Sequence, residues 1–61
     1  MFGDDYKETA EQREMFRLLA AIQQVDNITK LTKDNDWKEF IYSHLTPIKF
    51  ELERQYRNIL Q

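Results

Sequence analysis

The sequence predicts an all-α fold, an antiparallel helical hairpin that assembles with itself as a helical bundle. Three observations lead there. The 61 residues include one glycine, Gly3, and one proline, Pro47, whereas a β-protein of this size needs several tight turns built from such residues. No segment alternates apolar and polar side chains as a strand does, and apolar residues recur instead at steps of three and four. An Asp-x-x-Glu spacing at Asp36 and Glu39 divides the chain near its middle in the manner of a capping box.

The first helix is predicted over about residues 5–31. Asp4 or Asp5 can cap the free amides at its start, and Glu8 in the first turn suits the helix dipole. Met15, Leu18, Leu19, Ile22, Val25 and Ile28 then share one face. Asp26 and Lys30, four apart, form a supporting pair in the better orientation.

Residues 32–35 read as the turn, with Asp36 as N-cap of the second helix. A connection this short makes the two helices antiparallel neighbours. The second helix, predicted over about residues 36–60, carries Trp37, Phe40, Ile41, His44, Leu45, Ile48, Leu52, Tyr56 and Ile59 as its apolar stripe. Pro47 interrupts it, because proline lacks the amide and crowds the carbonyl of Ser43. Thr46-Pro47 also has the form of a cap followed by a first helical proline. Since the stripe keeps its phase across Pro47, one kinked helix is expected; the alternative is three short helices with a break at Thr46-Pro47. In the expected register Ile28 lies opposite Phe40 or Ile41, Ile22 opposite Leu45, Leu18 opposite Ile48 and Met15 opposite Leu52. Tyr56, Ile59 and Leu60 fall against Tyr6 and Ala10.

Length and composition bound the function. The chain is a single small domain, residues 1–61, and a domain of about this size buries only about 60% of its unfolded surface. With no cysteine and one histidine, neither a disulfide nor a multi-histidine or thiolate metal site is available within one chain. Self-association is the remaining common source of stability, and a dimer of hairpins forming a four-helix bundle is favoured. The net charge of −2 lacks the basic excess of a general nucleic-acid binder. The longest apolar run, Leu18 to Ile22, falls far short of the ~20 residues of a membrane span. The acidic start at Asp4-Asp5 lacks the features of a secretion signal. A soluble, cytoplasmic protein is expected.

No catalytic constellation emerges. His44 is the residue best suited to proton transfer, but it sits on the apolar face between Ile41 and Ile48, where a hydrogen-bonded core or interface histidine is the expectation. Ser43 is expected to point elsewhere. The Glu-x-x-His motif of carboxylate-bridged metal bundles is absent, because Ile41 stands three before His44. Neither a cofactor nor a metal is expected. Arg13, Arg17, Arg54 and Arg57 gather at the end away from the turn, and Lys30, Lys33 and Lys38 at the turn. Neither cluster has the interleaved exposed aromatics of a nucleic-acid groove.

The expected function is therefore that of a non-enzymatic interaction or assembly protein, with a second copy or another protein as partner. The alternative is a small nucleic-acid-associated regulator using one of the basic clusters. The candidate oligomer interface comprises Leu19, Ile22, Ile28, Ile41, His44, Leu45, Ile48, Leu52 and Tyr56. Trp37, Phe40 and Tyr56 are assigned to the core, while Phe16, Phe50 and Tyr42 fall off the stripes and form a candidate partner surface.

The segment from Trp37-Lys38-Glu39-Phe40 through Glu51-Leu52-Glu53-Arg54-Gln55 resembles short all-helical proteins encoded by tailed phages. The resemblance covers about half the chain and contains no catalytic motif. It implies a viral source and the host cytoplasm as location, and nothing about activity.

Overall fold

The structure, a computed structural model, describes residues 9–61. Two helices, α1 (Ala10–Leu31) and α2 (Lys38–Leu60), pack against each other as an antiparallel hairpin. There is no strand among the described residues.

Helix α1 begins at a capping box. The Thr9 hydroxyl accepts from the Gln12 amide at 3.0 Å, and the Thr9 amide donates to Gln12 Oε1 at 2.9 Å. Two otherwise orphan amides are thereby satisfied. The helix thus starts later than the residue-5 expectation. The caps expected at Asp4 or Asp5, and the packing of Tyr6, lie outside the described residues.

Threonines close the other end of α1. Thr29 Oγ1 donates to the Val25 carbonyl at 3.0 Å, and Thr32 Oγ1 to the Ile28 carbonyl at 2.7 Å. The Thr32 amide also donates to the Ile28 carbonyl, at 3.0 Å. The last carbonyls of a helix lack intrahelical partners, and Thr32 supplies two bonds to one of them without any glycine.

The connection runs from Thr32 to Trp37. The Asn35 amide donates to the Thr32 carbonyl at 3.0 Å, and Asn35 Oδ1 accepts from the Trp37 amide at 2.8 Å. That second bond is the Asx arrangement by which asparagine mimics a backbone turn. The N-cap of α2 is consequently Trp37, which makes no side-chain capping bond. The expected Asp36–Glu39 capping box does not form: a cap at Trp37 puts Phe40, not Glu39, in the third helical position.

Helix α2 passes through Pro47 without a break. The single-helix reading holds, and the three-helix alternative does not. Interhelical contacts are shifted from the expected register, by about one turn at Thr29–Tyr42 and about two at Asp26–Lys49. The Tyr42 hydroxyl donates to the Thr29 carbonyl at 3.2 Å, and Lys49 Nζ lies 2.8 Å from Asp26 Oδ1.

The packing is thin. Leu18 and Val25, at 4% and 8% exposure, are the buried hydrophobics among the described residues. The molecule spans only 11 Å in its shortest dimension, about one helix diameter. It is a single layer, whereas stable domains usually bury their apolar faces between two or more.

Candidate interaction faces

The seam of α2 is turned relative to the predicted stripe, toward Tyr42 and Lys49. Tyr42 was expected off the stripe, yet it is half-buried in the seam. Its hydroxyl has an acceptor there because Thr29 lies in the last turn of α1, where carbonyls lack intrahelical partners. Lys49 is drawn in likewise, its stem lying along the seam while its ammonium meets Asp26. The Asp26 contact holds the Lys49 pKa above its ordinary value, through the hydrogen bond first and the charge second. The Asp26–Lys30 pair expected from spacing is thus superseded by a pair between helices.

This rotation exposes the other edge of the stripe. Trp37 at 69% and Phe40 at 57% exposure are surface residues rather than the predicted core. Ile48 is half-exposed at 50%. Ile41, Leu45, Leu52 and Tyr56 are half-buried in or beside the seam, as is Ile22 on α1. Leu19 and Ile28 are also partly exposed, and Phe16 and Phe50 more so. The candidate interface residues therefore do not form one surface. Leu19 and Ile28, nine residues apart, lie on opposite flanks of α1 at about 100° per residue.

An aromatic ladder runs along the exposed edge of α2. The Trp37 and Phe40 rings meet edge to face, with centroids 6.1 Å apart and planes at 89°. The Phe40 and His44 rings lie 4.2 Å apart at 39°. Offset and edge-to-face contacts of this kind are the favoured aromatic geometries. Sequence spacing places these residues together correctly, but it assigns Trp37 and Phe40 to the interior.

The polar atoms around His44 bear on catalysis. Ser43 Oγ lies 3.3 Å from His44 Nδ1, closer than expected. Both groups also reach the Phe40 carbonyl, at 2.8 Å each. A carbonyl only accepts, so the short Nδ1 contact assigns the ring hydrogen to Nδ1. In that tautomer Nδ1 cannot take a proton from Ser43, and the pair is not a nucleophile and base.

Beside the Asp26–Lys49 pair is a cleft of about 210 Å³, lined in part by Val25, Tyr42, Leu45 and Thr46. It is smaller than the roughly 300–1,000 Å³ usual for small-molecule sites. Among the described residues no three His, Cys, Asp or Glu side chains converge as metal ligands. No described helix is long and apolar enough to cross a membrane.

Within the arginine cluster, Arg17 and Arg54 meet carboxylates of their own helices. Arg54 Nε and Nη2 donate to Glu51 at 2.9 and 2.6 Å, and Gln55 Nε2 adds a bond of 2.7 Å to Glu51 Oε2. These hydrogen bonds, Arg54 first and Gln55 second, lower the Glu51 pKa to about 2. Arg17 lies 3.7 Å from Glu14. At the turn, Lys30, Lys33 and Lys38 are exposed and flank Asp34 and Asp36, which dilutes their field. No protein-family model, curated protein or solved structure matches the chain.

Proposed function

We propose that this chain is a non-enzymatic helical assembly protein that works in the cytoplasm by self-association and protein–protein contact. The observation that carries the reading is the imbalance, among the described residues, between two buried hydrophobics and nine large hydrophobics left exposed, Leu31, Trp37 and Phe40 among them. A layer about one helix thick has no second layer to cover these residues, and contiguous exposed apolar surface marks interaction sites. The likeness to phage-encoded helical proteins extends the proposal to a viral product acting inside its host.

The alternative, a nucleic-acid-associated regulator, is favoured by no specific contact, because Arg17 and Arg54 already face carboxylates. The test is sedimentation over a wide dilution range, with nucleic-acid binding measured at two salt concentrations. A reversible oligomer and no salt-steep binding supports the assembly reading. A monomer that binds nucleic acid with a steep salt dependence overturns it.

A further inference from the structure

The hairpin has two broad faces of unlike character. The Asp26–Lys49 pair marks one of them. At about 100° per residue, Ile28 stands about 200° round α1 from Asp26, and Ile48 and His44 stand about 100° and 140° round α2 from Lys49, on the side away from the pair. The same geometry puts Ala21, Trp37 and Ile41 on this second face. Between Ala21 and Ile28 on α1, and between Ile41 and Ile48 on α2, the second face carries no formal charge. Among the described residues of the two helices, charges enter it farther from the turn, at Glu14, Arg17 and Glu51.

We infer that this charge-free face is where a second copy of the chain docks, with the turns of both copies at the same end. The inference rests on the assembly reading and adds the surface and the orientation. Size and charge argue for both. Two helices of 22 and 23 residues lying side by side present a face of roughly 34 by 20 Å, or about 700 Å² in projection. A typical stable interface buries about 800 Å² of accessible surface per partner. A dimer of typical size therefore uses most of the face, and two symmetric arrangements lay the full length of one hairpin along the other.

With the turns at opposite ends, the charged half of each copy covers the apolar half of the other. Charges buried without partners are costly. With the turns at the same end, apolar half meets apolar half, and α1 of each copy lies over α2 of the other. Ile28 then rests among Ile41, His44 and Ile48 of the second copy. Arg17 comes within about one to two turns of Glu51 of the second copy, opposite in sign. The charge-free patch also lets the face meet itself without like charges opposed, as a twofold interface requires.

The chain has no cysteine, so Asp34→Cys places one spin label per copy in the exposed turn and leaves both faces native. In a sample shown to be dimeric by sedimentation, the two labels are expected within about 20 Å, whereas opposite turns would sit roughly 34 Å or more apart. Ile48→Glu is expected to weaken the dimer about tenfold or more, and Leu19→Glu, on the ion-pair face, to leave it within about twofold. A long label distance overturns the orientation. A dimer lost in Leu19→Glu and kept in Ile48→Glu overturns the face. A wild-type chain that is monomeric at every concentration overturns the assembly reading itself, an outcome distinct from the other two.

Discussion

At the scale of single residues, the ends of the helices are set by side chains whose roles differ from their first appearance in the sequence. Thr9 and Gln12 supply both bonds of the box that starts α1. Replacing Thr9 with Ala is expected to cost about 1 kcal/mol of stability, read from denaturant melts at fixed protein concentration. Glu51 gives a pH signature. Its carboxyl is held near a pKa of about 2 by Arg54 and Gln55, below the 4.5 of an unperturbed group. A lowered folded-state pKa gives stability that is present above the unfolded value and is lost as pH falls through the folded one. The loss attributable to Glu51 is therefore expected between about pH 4.5 and pH 2, and it should be small because the group is exposed. An NMR titration following the Glu51 carboxyl, compared with melts of Glu51→Gln over the same range, checks both position and sign.

At the scale of elements, α2 shows what proline tolerates inside a helix. Pro47 leaves the Ser43 carbonyl without its usual donor four residues on, yet α2 continues to Leu60. Pro47→Ala is expected to restore that bond and raise stability by about 1 kcal/mol or more, less than the full helix-interior penalty because proline also stiffens the unfolded chain. A fall in melting temperature would contradict the continuous helix. The hairpin and this continuity were legible in the sequence because apolar spacing reports helical period directly. The rotation of α2 was not. An apolar stripe gives the broad face of a helix, but Tyr42 and Lys49 turn the seam by finding polar partners on α1, Thr29 and Asp26, and those partners are known only once the helices are docked. The start of α2 was misplaced for a related reason. Asp36 has the right spacing to Glu39, but Asn35 takes the Trp37 amide, and the first helical residue moves to Lys38. The Thr9-x-x-Gln12 box, by contrast, carries a local signal as clear as the one at Asp36, and reading it would have placed the start of α1.

At the scale of the whole molecule, the same rotation decides what the protein has left to offer a partner. Turning Tyr42 and Lys49 inward pushes Trp37, Phe40, His44 and Ile48 outward, so two residues that pattern alone assigned to the core, Trp37 and Phe40, lie on an open face beside His44 and Ile48 of the candidate interface. Trp37 is the only tryptophan in the chain, and its 69% exposure in one hairpin makes it an intrinsic reporter of whether that face is covered. If a second copy docks there, Trp37 moves from water to an apolar contact, and its emission at high concentration should lie to the blue of its emission on dilution. Melting temperature should fall over the same range, since association stabilises only the folded state. The two changes should share a midpoint, because one equilibrium produces both. Ile48→Glu should shift that midpoint to higher concentration, by the same factor for emission and for melting. An emission maximum and a melting temperature that both stay constant across the dilution series would show that a single hairpin folds on its own with Trp37 in water, and the covered face would have to be abandoned.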